Sequence, residues 1–401
     1  MRIRSLDYIR GLCILFMLIT HGMHFWLTDS SMWLFTLEAI TLGSIVASGF
    51  VFVSGVGFGL SWVKGEHTCV SEKDQYLRAL SSGVILLLLS ACFNLFTTFF
   101  GPNGWQAITW WNLFQCLAFS RLLGILFVKI KTKWGIIAIG CLIIFAAIFL
   151  DRIDYGENSN PLTALLFTLF FKPLDGYPFL IYFPFYLMGM LVGKEIQHYT
   201  ENPAAFREVI KQWLKVSGGF MFLGFALGLQ FSSRQLGWTF ITWLETYPTN
   251  VITALPLFTI LDSYAWCFFF NGAQLFLLLS LFYYLDVRHQ GVHFGKTSNK
   301  GILELFGQYS FTIYITHLAL YGFNVNYNAV TIWAPLIALI LIIWLCFWLV
   351  DKFGKGKISI EYLIGILGDG LYHQLQARVI IMTASKDNLD LEKKISQRVV
   401  G

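Results

Sequence analysis

Asp7-Tyr8-Ile9-Arg10-Gly11-Leu12-Cys13-Ile14-Leu15-Phe16-Met17-Leu18-Ile19-Thr20-His21 is the stretch that decides how this chain reads. Asp7, Arg10 and His21 interrupt an otherwise apolar run that continues to Leu27, long enough to cross a hydrocarbon core. In a helix of 100° and 1.5 Å per residue, eleven steps return His21 to within about 20° of Arg10. They also carry it roughly 16 Å along the axis. Asp7, three residues before Arg10, shares that face and can pair with it. Ionisable side chains inside a span are costly, so they usually face the protein interior and often do chemistry there. One face of the first helix thus carries a cation near one membrane surface and an imidazole near mid-depth.

The rest of the chain has the composition to match. It is 56% hydrophobic and 13% charged, whereas a soluble domain has about 25% charged residues. Apolar runs of about 20 residues recur along it. Ten spans are expected, near 9–28, 40–63, 78–100, 111–128, 134–150, 177–196, 213–231, 265–285, 302–323 and 330–350. The expected fold is therefore all-α, a polytopic integral membrane protein of about ten transmembrane helices. Residues 161–171 are too short to cross and read as an interfacial or re-entrant element.

Charge orients the spans. With the N-terminus inside, the internal connections carry Lys64, Lys73 and Arg78, then Lys129, Lys131 and Lys133, then Lys194, Arg207, Lys211 and Lys215. Arg288, Lys296 and Lys300 follow, and Lys352, Lys355 and Lys357 come after the last span. The external connections hold only Arg152, Lys172 and Arg234. The positive-inside rule then predicts cytosolic N- and C-termini. The net charge of +5 is spread beside spans and not along one stripe, so membrane lipids are expected partners and nucleic acid is not. Met1-Arg2-Ile3-Arg4 imitates a signal-peptide start, but no small-residue cleavage site follows, and a retained first span is expected. Cys13, Cys92, Cys116, Cys141, Cys267 and Cys346 lie in apolar runs without CxxC or zinc spacing, which argues against a disulfide framework or a metal site.

From Lys352 the composition turns polar. Ile358 to Met382 is amphipathic and suits the cytosolic surface, and Ser385 to Gly401 has the makeup of a disordered tail. The chain divides into a membrane domain over 1–351, a cytosolic amphipathic segment over 352–384 and a tail over 385–401.

Several residues offer chemistry, each with a plainer alternative. His21 is either an acid–base group or a histidine that hydrogen-bonds a neighbouring helix. His24 fits the external interface. Ser310, Tyr314, His317 and Tyr321 fall on one helical face of the ninth span. His317 stands roughly 22 Å in from its cytosolic end, a depth comparable with His21, so the two histidines could meet in one cavity. The alternative is a hydrogen-bonded stripe between helices. Arg121 is a basic residue well inside an apolar run. It suits a phosphate entering from the cytosol, or else snorkels or pairs with Asp7. Ser54-Gly55-Val56-Gly57-Phe58-Gly59 looks like a phosphate loop, but no strand precedes it. Ser44, Ser48, Gly55 and Gly59 read better as a small-residue packing stripe. Trp238, Trp243, Tyr247 and Tyr264 in the loop 232–264 fit a membrane-interface belt or a sugar-stacking surface.

These residues resemble a known group. Arg4-Ser5-Leu6-Asp7-Tyr8-Ile9-Arg10-Gly11, with the Arg-x10-His spacing, is similar to the opening of the transmembrane acyltransferase superfamily. Phe50-Val51-Phe52-Val53-Ser54-Gly55 resembles the second-span motif of one branch, the heparan-α-glucosaminide N-acetyltransferase catalytic domain family. Tyr177-Pro178 with Phe185-Tyr186-Leu187-Met188-Gly189 is similar to its mid-domain span, and Gly307 to His317 to its late span. Ile360-Glu361-Tyr362-Leu363 resembles the short motif after its last span. Acyltransferase family 3, with its glycan O-acetylases, is the sister group. In the animal heparan enzymes the active histidine lies in the external loop after span one, and the position of His21 is not histidine. Here that loop has only His24 at its edge, which is nearer the prokaryotic and family 3 pattern.

The resemblance implies a membrane acyltransferase domain over 1–351 that takes acetyl from cytosolic acetyl-CoA. The acyl group would pass to a sugar amine or hydroxyl at the external face, in the cell membrane. It carries Arg10, His21 and His317 over to the family's motifs. The reading of the residues themselves puts His21, His317 and Tyr314 in catalysis and Arg10, Arg121 and Asp7 on the donor, with no metal. The competing expectation is a transporter or flippase of a small polar or lipid-linked molecule, with the same polar stripes lining a permeation path.

Overall fold

Apolar sequence long enough to cross a bilayer has one economical way to satisfy its backbone, which is helix. The computed structural model describes residues 3–38, 44–100, 112–130, 132–151, 179–199, 203–226, 265–287, 300–321, 325–354 and 356–378. Among them helix dominates, and no strand occurs beyond an isolated bridge between Leu27 and Tyr327. The helices are α1 (Arg4–Trp26), the short α2 (Met32–Glu38), α3 (Ser44–His67), α4 (Glu72–Phe100), α5 (Leu113–Phe127) and α6 (Lys133–Asp151). They continue with α7 (Phe179–Tyr199), α8 (Pro203–Ala226), α9 (Ala265–Leu281), α10 (Ile302–Gln308), α11 (Ser310–Thr316) and α12 (Trp333–Gly354). A further helix, α13, runs over 360–378.

Six helices among the described residues are long and apolar enough to span a membrane: Arg4–Trp26, Ile45–His67, Glu72–Phe99, Phe179–Gln197, Cys267–Asp286 and Trp333–Gly354. The protein is an integral membrane protein. The other four expected spans are helical too, with different bounds or lengths. The fourth, α5, has 15 residues, about 22 Å of helix against a core of about 30 Å. The fifth, α6, is an apolar helix of 19 residues, Lys133–Asp151, which coincides with the expected 134–150. The seventh, expected over 213–231, starts at Pro203, because a polar first half carrying Glu208 and Lys211 is helical too.

The ninth, expected as one helix over 302–323, breaks. The α10 helix ends at Gln308, Tyr309 has φ −107° and ψ 26°, and α11 starts at Ser310. Continuous helix would send the Phe311 and Thr312 N–H groups to the carbonyls of residues 307 and 308. They donate instead to Glu361 Oε1, at 2.7 and 3.2 Å. A side chain inserted into the ladder is a recognised cause of a sharp kink. After Thr316 the chain tightens into a 3₁₀ turn over His317–Tyr321.

Two crossings set the frame. On the α3–α7 crossing, a Cβ on Gly55 or Gly59 would strike the carbonyls of Tyr186 and Met190. A Cβ on Gly189 or Gly193 would strike those of Phe52 and Val56. Gly55 and Gly59 therefore pack helices. On the α1–α10 crossing, Gly11 meets the Leu303 carbonyl and Gly307 meets that of Asp7. The start of α1 is capped from far along the chain: Asp286, in the π-helical turn Phe282–Val287 after α9, accepts from the Arg4 and Ser5 N–H groups at 3.0 and 3.1 Å.

The segments 161–171 and 385–401 and the aromatic loop 232–264 lie outside the described residues.

Candidate active site

The α1 helix is continuous from Arg4 to Trp26, so its Asp7–Arg10–His21 face survives intact. Asp7 is buried and lies 3.8 Å from Arg10. Opposite the other end of that face stands the 3₁₀ turn that begins at His317. The His21 and His317 rings meet edge to face, with centroids 5.0 Å apart. Tyr321 completes the cluster, 6.3 Å from His21 and 6.0 Å from His317, and its hydroxyl donates to the Leu18 carbonyl at 2.9 Å. The structure thus brings together histidines 296 positions apart in sequence (317 − 21).

His317 is buried, and its hydrogen bonding assigns its chemistry. Nδ1 donates to the Tyr314 backbone carbonyl. A carbonyl only accepts, so Nδ1 carries the hydrogen, and in the neutral ring Nε2 is an acceptor. That Nε2 has no hydrogen-bond partner among the described residues. A buried acceptor in this state awaits a proton donor. Tyr314 contributes its carbonyl to His317 and its ring to an aromatic wall, 4.9 Å from Phe114 and 6.0 Å from Phe93. Behind Phe93 and Phe114 a polar network joins α4 to α5. Ser90 donates to Asn112 Oδ1 at 3.0 Å, and Asn112 Nδ2 donates to Asn94 Oδ1 at 2.7 Å.

Arg121 takes a different place from either alternative read in the sequence. It neither snorkels nor meets Asp7: its guanidinium lies over the Phe58 ring at 5.5 Å, and its buried Nε has no partner among the described residues. It faces a cavity of about 510 Å³ at the lysine-rich end of the bundle, together with Lys64, Arg78, Trp62 and Tyr372. Arg10 and Asp7 are not among the cavity's walls. Arg10 instead approaches Gly57, where a Cβ would lie 3.7 Å from its Nη2. Gly57 adjoins Phe58, which lines the cavity, so Arg10 stands beside the cavity's inner end. Basic groups from α1, α3, α4 and α5 are thereby gathered around one end of the bundle.

Sequence reasoning missed two carboxylates. Glu38, on α2 and outside the spanning helices, is buried and accepts from Thr20 Oγ1 at 2.6 Å, one residue before His21. Burial pushes its carboxyl up to about 7, against the Thr20 hydrogen bond. A lone acid in Trp33-Leu34-Phe35-Thr36-Leu37-Glu38-Ala39-Ile40 was the available signal. Glu361 was quoted only as part of a motif. His24 is exposed and packs its ring 5.1 Å from Phe35.

A membrane-embedded helical bundle with two histidine rings in contact and a basic cavity at one end fits the class of membrane enzymes. The chain matches the family described as heparan-alpha-glucosaminide N-acetyltransferase, catalytic, over residues 2–226, and it belongs to that family of membrane acetyltransferases. No curated protein matches the chain. Among the described residues no three His, Cys, Asp or Glu side chains are grouped as a metal site would need.

Proposed function

We propose that the protein is a cell-membrane acyltransferase that moves acetyl from cytosolic acetyl-CoA to an amine or hydroxyl of a carbohydrate acceptor at the external face. The observation that carries the reading is the convergence of His21 and His317 in a chain of this family. His21 removes the proton from the acceptor nitrogen or oxygen as that atom attacks the thioester carbonyl carbon. The new C–N or C–O bond forms, the C–S bond breaks, and the CoA thiolate leaves and takes up a proton. Two roles are open to His317, orienting His21 or polarising the carbonyl. The bond from Nδ1 to a backbone carbonyl favours the first, because a bare Nε2 can accept from His21 but cannot donate to a carbonyl oxygen.

The cavity of Lys64, Arg78 and Arg121 is the proposed place of the nucleotide phosphates, with both termini cytosolic and Arg10, held by Asp7, further in along the donor arm. Guanidinium groups suit phosphate geometry, and the unpartnered Arg121 Nε supports this placing. Incubating purified protein with radiolabelled acetyl-CoA and amino-sugar or neutral-sugar acceptors tests the reading. Folded His21→Ala should transfer at least about 10²-fold more slowly, the low end for losing a positioned base. Near wild-type turnover in that variant, or no transfer by the wild type, overturns it.

A further inference from the structure

The α13 helix lies outside the residues matched by the family, yet it touches both halves of the candidate site. Its middle walls the basic cavity through Ile364, Gly365, Gly368 and Tyr372. The Tyr372 ring lies 4.9 Å from the Arg78 guanidinium, and Gln376 donates to Asp74 at 3.2 Å, which fixes the helix against α4. Its first turn holds the break in the ninth span. Glu361 Oε1 accepts from the Phe311 and Thr312 N–H groups, and Oε2 accepts from Thr312 Oγ1 at 2.6 Å. Thr312 Oγ1 in turn accepts from the Ile360 N–H at 2.9 Å. These two residues open the seven-residue α11, whose far end presents His317.

We propose that Glu361 is a positioning residue: by anchoring the start of α11 to the wall of the basic cavity, it sets where His317 stands relative to His21. The chemistry of the anchor is specific. A carboxylate supplies acceptors to two backbone N–H groups and a hydroxyl at once, and charge-assisted bonds of this kind are roughly twice as strong as neutral ones. Freed of Glu361, the two N–H groups regain the carbonyls of residues 307 and 308, and a straightened ninth span carries His317 away from His21. A displacement near 1 Å can cost about 10²-fold in rate. The cavity wall behaves separately. A Cβ at Gly365 or Gly368 meets nothing within 4 Å, so side chains added there fill the cavity without distorting the helix.

The inference rests on the reading of the site as an acyltransferase, and the test separates the two. Glu361→Ala should lower kcat at least about tenfold while leaving KM for acetyl-CoA within about threefold. Glu361→Gln, which keeps an oxygen for the two N–H groups, should return kcat to within about threefold of wild type. Gly368→Val should do the reverse, raising KM for acetyl-CoA several-fold with kcat little changed. Carbethoxylation by diethyl pyrocarbonate, mapped by mass spectrometry, reads the position of His317 without reference to catalysis. In Glu361→Ala, His317 should react at least about threefold faster, as its turn loosens. Unchanged kcat and unchanged carbethoxylation in Glu361→Ala overturn the proposal, as does a Gln variant no better than Ala. If the wild type transfers no acetyl, the functional reading falls and the carbethoxylation rates alone decide the positioning.

Discussion

Glycine is used in opposite ways at two places in this molecule. At the α3–α7 crossing, Gly55, Gly59, Gly189 and Gly193 each stand where a Cβ would run into the carbonyl of the facing helix. On α13, Gly365, Gly368 and Gly370 have open space where a Cβ would be. The first set lets two backbones touch, which is how helices associate where lipid removes the hydrophobic drive between them. In the second set, Gly365 and Gly368 leave volume unfilled in the cavity that Arg78 and Arg121 also line. A glycine count therefore says nothing until the neighbouring atoms are known. One set closes a helix crossing, and the other leaves room beside a cavity.

The largest effect is expected at the crossing. Gly189→Val puts a branched side chain into the Phe52 carbonyl, between backbones that can yield little. Overpacking of this kind costs about 1–3 kcal/mol, occasionally more. Fluorescence-detected size exclusion in detergent should find little monodisperse protein, whereas Gly365→Val should be recovered at wild-type yield. Equal yields would remove the distinction between the two sets.

A middle effect is expected where the cavity meets charge. Arg121→Gln keeps a polar head but loses the cation, and should weaken acetyl-CoA binding by about 1.5–3 kcal/mol, the range for hydrogen bonds to charged groups. Calorimetric titration with CoA and with dephospho-CoA checks it, and acceptor affinity should stay unchanged. Unaltered CoA affinity would reduce Arg121 to its stacking on Phe58.

The smallest effect sharpens the second set. Gly370 is not among the cavity's walls, and its φ is not in the left-handed region. Gly370→Ala should stabilise α13 by about 0.5–1 kcal/mol, through the lower backbone entropy of alanine in the unfolded chain. Amide exchange around residues 366–374 should slow by roughly two- to fivefold. Faster exchange would mean that a Cβ is not tolerated there.

What the sequence disclosed and what it hid follow from the range of the forces involved. The Asp7–Arg10–His21 face was legible because helix periodicity is local, and the packing role of Gly55 and Gly59 because no strand precedes them. The depths of His21 and His317 could be counted from the ends of their spans, and their rings do meet. The break at Tyr309 was not legible. Its cause is a carboxylate 50 positions beyond Phe311, and nothing in Phe306-Gly307-Gln308-Tyr309-Ser310-Phe311 competes for those N–H groups. The seat of Arg121 on Phe58 and the docking of α13 against Arg78 likewise depend on which helices adjoin, a matter local pattern does not encode.

The cap at the start of α1 has a consequence in time. Arg4 is made well before its N–H partner, Asp286, which lies 282 positions later. At about 5–20 residues per second, that partner emerges on the order of tens of seconds after the helix it completes. His317 and Glu361 follow later still. The helix that carries His21 is thus made first and waits, and the pair of histidines comes together only after the far partner of its cap has been made.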